Sequence, residues 1–315
     1  MSSQAERELA LSIASCSEVC ASLSNASHPC HKVVNWQSKQ FNPRIETVVG
    51  SRLHRPEPWT GDLAKAKIIF LSSNPSFDSD ENFPNWDAQQ WSDQDIAIFG
   101  ADRFTTLDNR NYGATDSRDK SLRDRTIGID GELSKRVSHW RWVRDFSSFV
   151  LDKPIFEVSA ITDYVMTELV HCKSKKEEGV PQALTYCSDK WFNKIMEISP
   201  AEIIFVAGVK SGKSFAKTFG TEVPNDWGSW KNSKDGKGKG QWPKTEKHLT
   251  RLIESGGWSV ETQRKNICRI EIGGRTRLVV YIGRPGGGGG LYAPWSHPNL
   301  VHEELLEFWR SNLHD

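Results

Sequence analysis

Five of the six cysteines stand in two groups. Cys16, Cys20 and Cys30 lie near the amino terminus, Cys172 and Cys187 lie in the middle of the chain, and Cys268 stands alone. In a chain of this size, thiols grouped in this way point to metal ligation rather than to a disulfide frame. Buried thiols without a ligand are the plain alternative. Four residues before Cys172, the apolar stretch YVMTELV carries the carboxylate Glu168, where the alternation of a strand should end. A third signature, residues 207–214, fits a loose phosphate-loop pattern, A-x-x-x-x-G-K-S. Its first glycine is an alanine, and no later apolar strand ends in the Asp that would support magnesium. A tight strand-to-helix turn is the better expectation there.

The elements that must position these groups alternate between strands and helices. Residues 5–23 have helical spacing, with Leu9, Ile13, Cys16 and Cys20 on one face, and His28-Pro29-Cys30 breaks the pattern. Buried strands are expected at residues 67–71, 164–170 and 203–207. Helices are expected from about 133, from Pro181 and after Gly208, the last closed by Gly220. Residues 267–272 and 277–282 suit a hairpin around Gly273-Gly274. Residues 300–313 suit an amphipathic terminal helix. Residues 78–131 read as a long polar insertion with little core of its own, and 225–246 as a basic Lys/Gly-rich loop. The pattern predicts one α/β domain over 1–315, a three-layer αβα sandwich around a mainly parallel sheet. Sites in such sheets form at strand carboxyl ends, here SSNPS, TELVHC, AGVKSGKS and GRPGGGGG.

Lys+Arg total 41 and Asp+Glu 40 in 315 residues, so a net charge of +1 forces no acidic partner and leaves a local basic face open. No apolar run reaches membrane-spanning length, and the amino terminus lacks a signal-peptide core. A cytoplasmic monomer with no membrane association is the expectation. Most of the 13 tryptophans are expected to serve packing.

The order of parts resembles the uracil-DNA glycosylase superfamily, nearest its iron–sulfur branch, over about residues 16–77, 133–220 and 277–313. Three segments carry the resemblance. PEPWTGDLAKAKIIFLSSNPS is similar to the family's strand and G-x-N-P-S/G turn. MTELVHCKSKKEEGVPQALTYC is similar to a strand ending in T-N-x-x-K-C with a second Cys some fifteen residues on. IIFVAG precedes a helix and a last strand ending in x-P. The resemblance implies a DNA glycosylase that leaves an abasic site. Asn74 matches the residue that positions the attacking water. Ser72, Ser73 and Phe77 flank it, with Phe77 where an aromatic could stack on an extruded base. Glu168 matches the Asn that reads the base edge, and Arg284 stands where a His-Pro pair is usual. Cys172 and Cys187 match two ligands of a [4Fe–4S] cluster. Cys20 and Cys30 are preferred for the other two, with Cys16 in reserve. Zinc suits four thiolates equally on chemistry alone.

The departures carry information. An Asn amide both donates and accepts, as uracil requires, whereas an ionised Glu only accepts. Cytosine offers an amino donor. Glu168 therefore argues for a cytosine-like base. Excision of normal cytosine would destroy the host genome, so a modified cytosine of foreign, phage-type DNA is the expected target and antiviral defence the expected role. Arg284 can stabilise the departing base anion, with His297 as a rival. The five-glycine run from Gly286 lets backbone approach phosphate closely, and Leu291, Tyr292 and Trp295 could wedge into the stack. Asp78, Asp80 or Glu81 could supply a carboxylate near the sugar. The alternatives are a repair enzyme acting on uracil and an inactive nucleic-acid-binding member of the fold.

Overall fold

The structure is a computed structural model that describes residues 2–40, 53–79, 81–86, 91–102, 125–128, 132–221, 264, 267–282 and 303–313. Its centre is a mixed six-stranded sheet. In chain order the strands are β1 (Trp59–Thr60), β2 (Ile68–Ser72), β5 (Tyr164–Glu168), β6 (Ile203–Ala207), β7 (Ile267–Ile272) and β8 (Arg275–Ile282). Their spatial order is β1-β5-β2-β6-β8-β7. The inner four are parallel, and β1 and β7 are antiparallel edges. A separate ribbon pairs β3 (Arg125–Ile127) with β4 (Leu133–Arg136).

The inner strands are nearly continuous apolar runs because both sheet faces are covered. Ile69, Leu71, Val165, Ile204, Val206 and Val279 point to one face. That face packs against α1 (Gln4–Ala14), α3 (His31–Ser38), α6 (Val180–Ile198) and α7 (Val209–Phe219). Ile68, Phe70, Tyr164, Met166, Phe205 and Val280 point to the other. It packs against α5 (Ser138–Leu151) and the carboxyl-terminal helix α8 (Glu303–Arg310). The protein is thus α/β, with helices on both faces of a mixed sheet. The Gly273-Gly274 hairpin forms as expected, with φ of 59° and 72° at its two glycines.

Three expectations need correction. Residues 5–23 are not one helix. α1 ends at Ala14, and α2 (Glu18–Ser24) starts afresh, so Cys16 and Cys20 do not share a helical face. At 133 the chain forms β4, and α5 begins only at Ser138. The polar stretch after 78 contains α4 (Asp93–Asp102), which docks Ile96, Phe99 and Ala101 into the interior. Asp102 accepts from the Ser2 amide and hydroxyl, both at 2.7 Å, and pairs with Arg7 at 2.9 Å. The basic loop 225–246 lies outside the described residues.

One buried cation ties β8 and β7 to the end of α6. Arg277 of β8 is fully buried and donates to the carbonyls of Met196, Ser199, Ala201 and Ile272. Two of these carbonyls end α6, where the helix dipole also favours positive charge. Burial lowers the guanidinium to about 10, so it stays charged at neutral pH. Arg277→Met should lower stability by at least about 3 kcal/mol, because several buried acceptors lose their donor together. The denaturant midpoint would read this; an unchanged midpoint would mean that water replaces the guanidinium at no penalty.

Candidate functional site at the strand carboxyl ends

Two neighbouring centres form where β2 and β5 end. The parallel register sets Ser72 beside Glu168. Both follow residues of the α5-side core at a spacing of two, Phe70 and Met166, so both close the same face. The carboxylate falls where the apolar layer stops, and Glu168 is partly buried. Beneath it, Trp142 of α5 packs on Phe70 with ring centroids 5.6 Å apart, and His139 stacks on Trp142.

Beyond the strands the two exits stay joined. The Leu169 and Val170 amides donate to the Ser72 and Ser73 carbonyls. Ser76 and Ser174 form an isolated parallel bridge. The amide nitrogen of Asn74 donates to the Pro75 carbonyl at 2.8 Å and to Ser174 Oγ at 3.1 Å. Its donor end is held by the loop, and its carbonyl oxygen is the end left to accept from a water. Ser73 donates to Glu177, whose other oxygen pairs with Lys210 of α7 at 2.6 Å. Lys176 and Glu177 both have left-handed backbone, φ 54° and 58°, a conformation that non-glycine residues adopt only where surroundings impose it. Gly179, at φ 73°, lies so close to α3 that an added Cβ would sit 2.3 Å from the Val33 nitrogen.

A buried ion cluster fixes this loop from below. Lys173 is 1% exposed, pairs with Glu81 at 2.7 Å and Glu57 at 3.0 Å, and lies 3.5 Å over the Phe83 ring. Phe83 stacks on His54, and His54 meets Phe77 at 4.8 Å. Phe77 is 3% exposed and also touches Trp36, so it is a packed ring rather than an open platform. Glu81 is committed to Lys173, while Asp78 is exposed. Asp80, Arg284, Gly286, Leu291, Tyr292, Trp295 and His297 lie outside the described residues.

The second centre is a small, nearly filled recess of about 10 Å³ on the opposite face, bordered by Cys16, Cys30, Cys172 and Cys187 with Val19, Trp191 and others. Cys16 follows the end of α1, Cys30 caps α3, Cys172 leaves β5 and Cys187 sits in α6. Cys20 is exposed and outside the recess; Cys16 stands where it was expected, because the break between α1 and α2 turns Cys20 away. Burial raises all four thiols, Cys30 to about 11 and Cys187 to about 12. Neighbouring cysteines raise Cys30, Cys172 and Cys187 further. Such a set ionises together only if a cation neutralises it. Donors already face the sulfurs: the Glu18 amide and Trp191 indole at Cys16, the His171 amide at Cys187. Among the described residues no three His, Cys, Asp or Glu side chains gather closely enough to hold a metal ion.

At the rim, Glu18 accepts from Lys190 at 2.6 Å, lies 2.9 Å from His28 and accepts from Tyr186; these bonds hold its carboxyl down at about 2. His171 is buried and neutral, lowered to about 4 by desolvation, with Nδ1–H donating to the Glu57 carbonyl at 2.7 Å.

The phosphate-loop pattern dissolves in this geometry. One residue, Gly208 at φ 96°, separates β6 from α7, so no loop exists to cradle a phosphate. No protein-family model matches the chain, and no curated protein matches it in sequence. No helix among the described residues is long and apolar enough to cross a membrane.

Sequence reasoning missed Lys173, Glu57 and Ser174 as parts of the site. Their signal was adjacency to Cys172 and to PEPW, which spacing alone does not distinguish from a solvated charge. Lys173→Met should cost about 3–5 kcal/mol by stranding two buried carboxylates. Restoration of the melting temperature by adding Glu57→Gln and Glu81→Gln would verify the cause, and a single variant as stable as the parent would refute it.

Proposed function

We propose that the protein is a DNA glycosylase of the uracil-DNA glycosylase fold that releases a modified cytosine and leaves an abasic site. The observation that carries this reading is the Ser72–Glu168 register, which sets an acceptor-only side chain beside the exit that bears Asn74. A base swung out of the stack would meet Glu168 through its amino group, and the sugar carbon C1′ would face a water held by the Asn74 carbonyl oxygen. The bond pair of the broken N-glycosidic bond leaves with the base. Water supplies hydroxyl to C1′, and its proton neutralises the departing base. Asn74 has no basicity, so it orients the water and does not deprotonate it. The proposed electrophilic partner for the base anion is Arg284. Uracil is disfavoured because its O4 would meet carboxylate oxygen with like polarity.

The cofactor we propose for Cys16, Cys30, Cys172 and Cys187 is a [4Fe–4S] cluster. The donor set is four sulfurs, N–H groups already point at two of them, and Lys190 offsets negative charge. A single zinc suits four thiolates equally on chemistry alone, and the iron and sulfide content of the purified protein distinguishes the two. The role is structural: the four ligands tie the amino-terminal helices to the exit of β5 and to α6.

Two measurements follow. Phage DNA bearing modified cytosine, uracil-containing DNA and plain DNA are each incubated with the protein, then treated with alkali. Strand breaks should appear in the first alone. Asn74→Ala should slow release about 100-fold, and Glu168→Leu about 10- to 100-fold through loss of the acceptor that meets the amino group. Release of uracil at the greater rate would instead establish the repair reading. Iron and sulfide content should fall in Cys16→Ser and persist in Cys20→Ser; the opposite pattern would exclude this ligand set.

A further inference from the structure

A basic ridge adjoins the Asn74 exit and has no part in the chemistry above. In α7, Lys210, Lys213 and Lys217 recur at spacings of three and four, which places them on one helical face. All three are exposed, and the helix contains no acidic residue. The bond from Lys210 to Glu177 brings the start of this row against the 173–179 loop, where Lys175 and Lys176 are also exposed. Glu177 is in turn bonded to Ser73, one residue from Asn74. Five lysines thus form a continuous track that begins at the candidate site and runs back along α7. The remaining exposed acid of that loop is Glu178.

We infer that this ridge is the docking surface for the phosphodiester backbone of the DNA strand that carries the target base, which rests on the glycosylase reading above. Lys210 to Lys217 span about 10 Å of helix axis at 1.5 Å per residue, and one strand of duplex DNA presents a phosphate about every 3.4 Å along its axis. The row therefore matches about three consecutive phosphates. The opposite face of α7 buries Phe215 and Ala216, so the ridge has no apolar side chain to insert into a lipid surface. Among the described residues the large exposed apolar side chains, Leu23, Ile155, Phe156, Tyr186 and Phe308, belong to other elements. Charge without apolar anchors suits a polyanionic strand better than a membrane.

The test is the salt dependence of binding to a plain duplex oligonucleotide, measured apart from base release. The wild-type protein should show a log–log slope set by its phosphate contacts. The triple variant Lys175→Gln, Lys213→Gln, Lys217→Gln should lose about 0.9 of slope per lysine and bind more weakly at every salt concentration. Lys210 is left intact because it also supports Glu177. The matching triple Lys→Arg variant should keep the wild-type slope, which separates charge from folding, and melting temperatures of all three proteins should agree. A glutamine variant with the wild-type slope would overturn the ridge while leaving base release untouched as a claim. Loss of slope in a protein that releases no base from any DNA would uphold the ridge and remove the glycosylase reading. Tighter, lysine-dependent binding to phosphatidylserine vesicles than to DNA would also overturn it.

Discussion

The parallel pairing of β2 with β5 governs everything at the carboxyl end of the sheet. Hydrogen bonding along two parallel strands leaves no freedom in which residues stand side by side. Once Ile68 is set against Tyr164, Ser72 must stand beside Glu168. The main chain continues this pairing past the strand ends through Leu169 and Val170. The two exits then separate by function. β2 leads to Asn74 and the packed rings around Phe77, while β5 leads to Cys172 and the loop that holds Asn74 in place.

Between these exits the protein buries charge. Lys173 sits among two carboxylates and an aromatic face with almost no access to water. Such an arrangement contributes little net stability, since desolvation offsets most of the attraction. Its effect is on geometry. Glu57 comes from the segment before β1 and Glu81 from the segment after Asn74, so Lys173 fixes the relative position of three chain passages that lack regular secondary structure. The left-handed Glu177 just beyond it is held instead by Ser73 and Lys210.

Much of the architecture was legible in the sequence because burial on both sheet faces leaves an unmistakable signature. IIFL, YVM and IIFVA are apolar without interruption, and Gly-Gly between two alternating strands specifies its turn. The amino-terminal helices were misread for a physical reason: residues at positions 9, 13, 16 and 20 keep helical spacing even though the chain breaks at Ser15, and periodicity alone does not register a break that preserves phase. α4 was hidden because its buried positions include the small residues Ala97, Gly100 and Ala101 and the polar Asp102, and the helix lies in a polar stretch. In the candidate site, Glu168 and Asn74 were legible as strand-end groups. That Cys16 rather than the favoured Cys20 borders the thiol recess follows from that same helix break. Lys173 could not be separated from its neighbours Lys175 and Lys176 by type; burial alone divides them.

The near-contact between Gly179 and the backbone of α3 has a mechanical meaning. With no room for even a methyl group, the helix capped by Cys30 and the loop carrying Ser174 abut like two stones in an arch, and neither can shift while the other stays. Any displacement of α3 beside the thiol recess would therefore be felt, through Gly179, within a few residues of Ser174 and Asn74 without any dedicated signalling element. The placement of α3 and the geometry of the loop that holds Asn74 are, in this chain, one property.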